Sequence, residues 1–375
     1  MEIRLPNKSF TPEEDPMKDE LYRKVAEVLN TLPNGFPPTQ SGVEIKLLKK
    51  VFEPDEAELF CHLKLTNETT DQIAKRAGIP LEGLSEKLES MFKKGQIESR
   101  VEKGVRVFRM IPWVVGIYEL QVKRMDREFV DLYEEYAPVL GAQAFRTKPQ
   151  FMRVLTVEKD IPMDTQALPY ERVSSLIENG KSFGVADCIC RKRNRMLGKG
   201  CDRPLEICML IGDEPGLFED HPMANRVISK QEAYELLRKA EDAALVHLTG
   251  NVVKGQWYIC NCCSCCDNQL KATRAGLKGI INSHFYAEID TEKCVLCGIC
   301  AAERCQVGAI DEVEGLYRIN RDKCIGCGLC VSACTSEAIQ LIHKKPEELF
   351  TPPMDEMDWN EKKAVQRGVD FSAYK

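Results

Sequence analysis

The chain has 375 residues, a formal net charge of −6 and 29% charged residues, and eighteen of its residues are cysteine. This length predicts roughly two or three domains with a substantial buried core, and the mildly acidic balance argues against nucleic acid as a bulk partner. The longest apolar run, 111–118, is too short to span a bilayer, and the first ten residues lack the apolar core of a secretory signal. We therefore expect a multidomain α+β protein in the cytoplasm, where clustered cysteines indicate metal or redox chemistry.

The N-terminal part is predicted to be mainly helical. Residues 1–40 are rich in proline and predict an arm that packs on another surface, with helix at 21–32. The pattern from residue 41 predicts helices and then a β-hairpin, at 56–65, 70–77, 80–94, 96–100 and 105–110. Thr69 is suited to cap the second of these helices, and Gly78 is suited to end it.

The order of these elements over residues 41–112 predicts a compact module, and residues 45–112 resemble the winged-helix family. That resemblance implies a third helix that binds DNA. Here the third helix carries three glutamates and three lysines over 81–94, whereas a helix that follows phosphates has a cationic excess. An architectural or protein-docking role is therefore favoured, and DNA binding is the alternative.

Residues 113–285 predict a cysteine-rich α/β central domain. We expect a helix at 131–137 that ends at Pro138, and another at 170–179. Ser229 and Glu232 have the spacing of a capping box, which predicts a helix that runs to about residue 245. The tail at 344–375 contains aromatic residues, so it is expected either to wrap over a surface or to be a disordered end.

The C-terminal region at 286–343 contains a duplicated cysteine pattern. Its eight cysteines are Cys294, Cys297, Cys300 and Cys305 in the first copy and Cys324, Cys327, Cys330 and Cys334 in the second. Strands are predicted around the two loops at 286–289, 307–310, 317–319 and 338–342. Three thiolates in one tight loop and a fourth from elsewhere are typical ligands of a cubane iron–sulfur cluster. Zinc is the alternative for paired C-x-x-C motifs.

On these motifs, residues 286–343 resemble the bacterial two-cluster ferredoxin family, within a chain that is similar to multi-cluster iron–sulfur proteins of anaerobes. The resemblance implies two [4Fe-4S] clusters with crossed ligands. One cluster would be bound by Cys294, Cys297, Cys300 and Cys334, and the other by Cys324, Cys327, Cys330 and Cys305. The chain departs from the family in having four residues between Cys300 and Cys305 instead of three. Gln306 and Thr335 also stand where the family has proline.

Nine further cysteines lie in the central domain: Cys188, Cys190, Cys201, Cys208, Cys260, Cys262, Cys263, Cys265 and Cys266. Cys260, Cys263 and Cys266 repeat the C-x-x-C-x-x-C spacing of the ferredoxin loops. This predicts at least one additional iron–sulfur cluster, while structural zinc or a thiol redox couple are the alternatives. Basic residues crowd 191–203, which predicts a solvated face or partial neutralisation of a bound cluster, with a docking patch for an acidic partner or a site for an anionic ligand as further alternatives.

The remaining cysteine, Cys61, is predicted to be a core residue, and His247 is predicted to lie in the core or a strand rather than to bind a metal. No dinucleotide-binding G-x-G-x-x-G or haem C-x-x-C-H motif occurs in the sequence. We therefore expect an electron-transfer protein that exchanges single electrons with a partner oxidoreductase or subunit. The alternatives are an iron–sulfur reductase with its catalytic centre in the central domain and a redox-sensing DNA-binding regulator.

Overall fold

The structure, a computed structural model, describes residues 16–156, 173–281 and 283–375. The α-helices are α1 (Pro16–Thr31), α2 (Val43–Val51), α3 (Pro54–Phe60), α4 (Thr70–Ala77), α5 (Leu84–Lys93), α6 (Tyr118–Leu120), α7 (Arg127–Arg146), α8 (Val173–Asn179), α9 (Ile189–Met196), α10 (Lys230–Asp242), α11 (Asn268–Arg274) and α12 (Glu356–Arg367). The strands are β1 (Glu98–Glu102), β2 (Val105–Arg109), β3 (Met152–Val154), β4 (Ser182–Asp187), β5 (Glu206–Gly212), β6 (Arg226–Val227), β7 (Val246–Gly250), β8 (Tyr258–Cys262), β9 (Phe285–Ile289), β10 (Ile310–Val313), β11 (Leu316–Ile319) and β12 (Ile339–His343). Helices and small antiparallel sheets make this an α+β protein.

The N-terminal helices form one packed unit with the β1–β2 hairpin. Helix α1 packs against α2 and α3 and buries Val25 and Leu29, so this stretch belongs to the core. The predicted caps of α4 are confirmed. Thr69 accepts a hydrogen bond from the amide of Gln72, and Gly78 ends the helix at φ 67°. Helix α3 is shorter than predicted, since it ends at Phe60.

Helix α7 corrects the expectation that Pro138 ends a helix, because the helix continues through it to Arg146. Proline cannot donate the backbone hydrogen bond at its position, which costs stability in a helix interior. Here the helix has buried side chains on both sides of the proline, including Tyr136 and Leu140, while Pro138 itself is exposed. Burial of the apolar side of α7 therefore outweighs the local preference of proline to break the helix.

The central region is built on an antiparallel sheet with the strand order β3-β7-β8-β5-β4-β6. Helix α10 begins at the predicted cap, where Ser229 accepts from the amide of Glu232, and it ends at Asp242. Segment 189–196, which lies between Cys188 and Cys201, is helix α9. The sheet and α9 hold the central cysteines.

The C-terminal module contains two antiparallel strand pairs. Strand β9 pairs with β12, so that Ala287 lies opposite Leu341, and β10 pairs with β11. Three of these strands lie within one residue of the predicted positions, whereas β10 begins at Ile310, where the strand predicted at 307–310 was expected to end. Each cysteine loop leaves the end of β9 or β11. The first and last strands of the module are therefore joined, which brings the two copies of the cysteine pattern together.

The C-terminal tail packs on the body of the protein, which was one of the two expected outcomes. Trp359 and Phe371 are buried, and the Trp359 indole donates to the carbonyl of Gln150 at 2.9 Å. The Arg367 guanidinium donates to the carbonyl of Asn30 at 2.9 Å. The two ends of the described chain are therefore bound to each other. Over the described ranges, no helix is both long and apolar enough to cross a membrane.

Lys363 is the most deeply buried part of this contact, with 0% of the residue exposed. Its ammonium donates to three backbone carbonyls, those of Ala144 at 3.3 Å, Thr147 at 2.7 Å and Pro149 at 3.1 Å. Burial lowers the pKa of Lys363 to about 7. Because the carbonyls lie at the end of α7 and just beyond it, Lys363 fastens the tail to that helix.

We predict that Lys363→Met lowers the free energy of unfolding by about 1–3 kcal/mol, because the three carbonyls lose their common donor. The matched control is Lys362→Met, which changes an exposed neighbour that pairs with Asp358 and should change stability by about 0.5 kcal/mol or less. Thermal unfolding of both variants under anaerobic conditions measures the difference. Equal effects of the two substitutions would contradict the fastening role.

Candidate metal centres

The eight cysteines of the C-terminal module form two groups in space. The Cys300 thiol lies within electrostatic range of three others, and its pKa is raised by burial and by these neighbours: Cys297, Cys294 and Cys334. Cys327 is partly buried, and desolvation raises its thiol pKa to about 12; its thiol neighbours are Cys305 and Cys324. The fourth cysteine of each copy thus lies with the three loop cysteines of the other copy. This is the arrangement that the ferredoxin resemblance implies.

Backbone amides point at the sulfurs in the same way in both copies. The amide of Ala309 donates to the Cys305 sulfur at 3.1 Å, and the amide of Ala338 donates to the Cys334 sulfur at 3.3 Å. Amide donors of this kind stabilise thiolate ligands and help to set the reduction potential of a cluster. The eight thiols and their donors fit two cubane clusters by their chemistry.

Gly326 is required by the close approach of the second loop to β9. Its φ is +60°, and a Cβ atom at this position would lie 2.1 Å from the carbonyl oxygen of Phe285. The Gly326 carbonyl also accepts a hydrogen bond from Thr156 at 3.1 Å. The loop is therefore held against both its own module and the central region, in a conformation that other residues would not adopt.

The extra residue before Cys305 is accommodated by a π-helical turn, Cys300–Arg304. The amide of Cys305 donates to the carbonyl of Cys300 at 3.0 Å, across five residues instead of four. The wider turn absorbs the additional residue and still directs Cys305 toward the second loop. The departure from the family spacing therefore leaves the position of this sulfur intact.

The nine central cysteines divide into two sets, and the predicted triad of Cys260, Cys263 and Cys266 is split between them. One set, here called the five-cysteine set, consists of Cys188, Cys190, Cys208, Cys260 and Cys262. The other, called the four-cysteine set, consists of Cys201, Cys263, Cys265 and Cys266. The split follows from strand geometry, because alternate residues of β8 share a face and the chain then turns at 263–266.

The five-cysteine set lies on or next to the neighbouring strands β8, β5 and β4 of the central sheet. Met209 of β5 pairs with Ile259 of β8, so Cys208 and Cys260 are neighbours across the two strands. Cys260 interacts with Cys262 two residues further along the same face, and Cys188 interacts with Cys208 and Cys190. The five thiols thus follow one another as a chain of neighbours.

A cavity of about 790 Å³ opens beside the five-cysteine set and includes all five residues in its wall. The opposite side is formed mainly by α7, including Tyr133, Ala137 and Phe145, and most of the lining is apolar. Cavities of this size are typical of small-molecule sites. The four-cysteine set does not contribute to this wall.

Two carboxyl groups face the same cavity, that of the partly buried Glu119 and that of the buried Asp267. Burial raises the pKa of Glu119 to about 7, and Glu119 accepts a hydrogen bond from the amide of Gly116 at 2.7 Å. Burial and the neighbouring thiols raise the pKa of Asp267 to about 6. The Asp267 carboxylate also caps α11 and lies 3.9 Å from the Cys190 sulfur. The cavity therefore combines thiols with groups that can hold or release a proton near neutral pH.

The sulfurs of the four-cysteine set all lie within 4.8 Å of one another. The Cys201 sulfur is 3.9 Å from that of Cys263 and 3.8 Å from that of Cys266, and the Cys265 and Cys266 sulfurs are 3.8 Å apart. Hydrogen bonding with Cys266 and the charge of Arg191 lower the pKa of Cys263 to about 5. This set is compact, with its four sulfurs close enough to one another to be ligands of one metal ion.

Two of the basic side chains at 191–203 are buried beside the central cysteines, whereas others in this segment are exposed to solvent. Arg191 is 0% exposed, and its guanidinium lies 3.5 Å from the Cys263 sulfur. The Arg203 guanidinium lies 3.6 Å from the Cys265 sulfur. Arg193, also buried, forms an ion pair with Glu134 at 3.1 Å. Arg191 and Arg203 thus provide positive charge next to the ligands.

Gln306 connects the ferredoxin-type module with the four-cysteine set. This buried side chain accepts hydrogen bonds from the amide of Ser264 at 3.1 Å and from its hydroxyl at 3.3 Å. Ser264 lies between Cys263 and Cys265, and Gln306 directly follows Cys305. The residue that replaces the family's proline therefore bonds to the adjoining cysteine turn. Sequence reasoning missed this role, for which the only signal was the departure itself.

The other residues singled out in the sequence have no part in these groups. Cys61 packs beside the N-terminal core, where burial raises its pKa to about 11. His247 is buried on β7, and its Nδ1 atom hydrogen-bonds the Asn261 side chain at 2.5 Å. Its environment is that of a core histidine, as the sequence indicated.

Comparison with known proteins identifies part of the C-terminal module. The family model described as a 4Fe-4S binding domain matches residues 317–340, which include Cys324, Cys327, Cys330 and Cys334. Searches of curated proteins and of solved structures gave no match. The chain therefore contains a 4Fe-4S binding segment of ferredoxin type, and with its additional cysteine group it has the capacity for iron–sulfur electron transfer.

We predict that Gln306→Ala lowers the free energy of unfolding by about 1–3 kcal/mol, because the buried amide of Ser264 loses its acceptor. Gln340→Ala is the matched control, since Gln340 is exposed on β12 of the same module, and it should change stability by about 0.5 kcal/mol or less. Anaerobic thermal unfolding compares the two. If Gln306→Ala unfolds like the control, the connection has no energetic importance.

Proposed function

We propose that the protein relays single electrons between a partner redox protein, or an oxidoreductase subunit, and its own metal centres. The observation that carries this proposal is the pairing of each loop of three cysteines with the fourth cysteine of the other copy. Bound [4Fe-4S] clusters supply one-electron chemistry. The chain contributes the thiol ligands, the amide donors to Cys305 and Cys334, and the close joining of the two copies through β9 and β12.

Electron exchange with the partner is proposed at the first cysteine loop. Cys297 is exposed, and the apolar side chains of Val295 and Leu296 are 66% and 48% exposed beside it. The segment 286–343 has nine acidic and five basic residues, and thiolate-bound clusters add negative charge. A partner with a basic rim around a small apolar centre is the complement of this surface.

We propose that electrons pass between the ferredoxin-type module and the central region on the side of the module that carries Cys305. Gln306 hydrogen-bonds Ser264, which lies in the turn that carries three cysteines of the four-cysteine set. Arg191 lies between that set and the five-cysteine set. Contacts therefore run from the exposed first loop to the central thiols. We infer that the central region holds at least one additional metal centre at the end of this series. The abundance of free thiols favours a reducing compartment such as the cytoplasm.

The crossed ligand sets give a sharp test of the relay. We predict that Cys297→Ala and Cys334→Ala each remove the same one of two cubane signals in electron paramagnetic resonance of the reduced protein, whereas Cys305→Ala removes the other. Each variant should lose about four irons per chain, because one cubane contains four. Cys61→Ala is the control and should lose none. If Cys334→Ala and Cys305→Ala removed the same signal, the crossed arrangement would be wrong.

A second candidate function, an iron–sulfur reductase, is favoured by the cavity beside the five-cysteine set. A metal centre bound there would have an apolar space of about 790 Å³ in front of it, with Glu119 and Asp267 as proton-holding groups. The chain would then both receive electrons and deliver them to a small molecule. The apolar lining indicates a substrate with little charge.

We predict for this candidate that Ala137→Trp, which fills the α7 side of the cavity, abolishes turnover with reduced methyl viologen and apolar acceptors such as a quinone, a nitroarene or an enone. Iron content should be unchanged. Val139→Trp is the matched control, because Val139 lies on the same helix, is 38% exposed and is not in the cavity wall. Absence of turnover in the wild-type protein would leave the relay as the function.

DNA binding is the least supported alternative. Lys87 and Lys94, near α5, form ion pairs with Asp55 and Glu56. Arg106 on the hairpin pairs with Asp220 of the central region at 2.7 Å. The two lysine pairs are made within the N-terminal module, and the Arg106 pair joins the hairpin to the central region, which favours the architectural role.

A further inference from the structure

We propose that Cys201, Cys263, Cys265 and Cys266 bind a single tetrahedral metal ion, Zn²⁺ or Fe²⁺, and not a cubane cluster. The inference concerns a site that the relay does not define, and it rests on sulfur spacing and charge within this set. It also separates the two groups of central cysteines by the kind of metal centre that each one can hold.

The spacing of the sulfurs is that of ligands around one ion. In a tetrahedral site, thiolates about 2.3 Å from the metal stand about 3.8 Å from one another. The three separations given above are 3.8–3.9 Å, and all four sulfurs lie within 4.8 Å of one another. The set therefore already has the dimensions of a four-sulfur cage.

The other cysteines of the same chain provide an internal comparison. Among the described residues, which include every cysteine, the four-cysteine set is the only group of three or more potential ligands with this mutual proximity. The ferredoxin-type cysteines are more widely spaced, as expected when each thiolate binds a different iron of a cubane. The five-cysteine set is also more extended. The compactness is thus a property of this set and not of cysteine clusters in the chain generally.

The charges around the set also suit one divalent ion. Four thiolates and a divalent cation carry a net charge of −2, and two guanidinium groups lie against the ligands. Arg191 is 3.5 Å from the Cys263 sulfur, and Arg203 is 3.6 Å from the Cys265 sulfur. The two cations balance the site, and hydrogen bonds of this kind orient the ligands of structural metals.

The backbone supports the same arrangement. The amides of Cys266 and Asp267 both donate to the carbonyl of Cys263, which closes a tight turn containing three of the ligands. Cys201 arrives from the segment after α9, and its carbonyl accepts from the Arg195 side chain at 3.2 Å. Zinc at this position would stabilise the turn that contacts Gln306. Iron would add a one-electron centre close to the cysteines around Cys305.

Metal and sulfide analysis of the full-length protein, purified anaerobically, tests the proposal. Cys263→Ser and Cys265→Ser should each lose about one zinc or one iron per chain, with no loss of acid-labile sulfide. Loss of about four irons together with four sulfides would establish a cubane there and overturn the proposal. Unchanged metal content in both variants would overturn it as well. Cys61→Ser is the matched control and should retain all metal.

The wild-type protein gives a measurement that does not depend on any variant folding. Cubane clusters release iron and sulfide in equal amounts, so a single-ion site is detected as one zinc, or as one iron in excess over sulfide. Absence of both would contradict the proposal. Zinc and iron are distinguished by the same assay, and iron in four-thiolate coordination also has its own high-spin paramagnetic signal. Loss of the two cubane signals in these samples would count against the relay and leave the single-ion site standing.

Discussion

The central part of the molecule depends on a buried cation, Arg191, placed between two groups of thiols. A guanidinium with no solvent exposure costs several kcal/mol unless it is paired with negative charge. Its partners here are the Cys263 sulfur and the carbonyl of Asn261, and the charges of Cys188 and Cys208 also act on it. Thiolate character on the cysteines around it therefore stabilises Arg191. Metal binding supplies that condition, since metal ligands are deprotonated thiols.

If the central cysteines bind metal as proposed, this dependence joins metal loading to folding of the central region. The strands that carry the five-cysteine set pack against the same core as α9, which carries Arg191. Without bound metal, neighbouring thiols must compete for protons, and with it the guanidinium gains fixed anionic partners. Gln306 connects the ferredoxin-type module to the central region, so the segment after Cys305 and the turn at 263–266 stabilise each other.

Cysteines that lie close together in the sequence could be grouped from the sequence alone. The grouping of the central cysteines could not, because it depends on how distant segments pair. The spacing of Cys324, Cys327 and Cys330 places three thiols in one loop whatever surrounds it, and the caps at Thr69 and Ser229 are equally local. By contrast, Cys208 and Cys260 become neighbours only through the register of β5 and β8. The C-x-x-C-x-x-C frame of 260–266 was misleading because it spans the end of a strand. Helix α7 was misread for a related reason, since packing on both sides of Pro138 decided its length.

The two departures from the ferredoxin pattern near Cys305 are explained by contacts between this module and the central region. A proline at 306 would have no side-chain acceptor for the amide of Ser264, and the turn that carries three of the four-cysteine set would lose its support from the neighbouring module. The additional residue before Cys305 is accommodated by the π-helical turn, and the Cys305 sulfur still lies near the second cysteine loop. An insertion and a substitution that weaken the resemblance by sequence are therefore both explained by one requirement. Under the proposed function, that requirement is that the Cys305 loop binds its own cluster and also contacts the metal site proposed for the four-cysteine set.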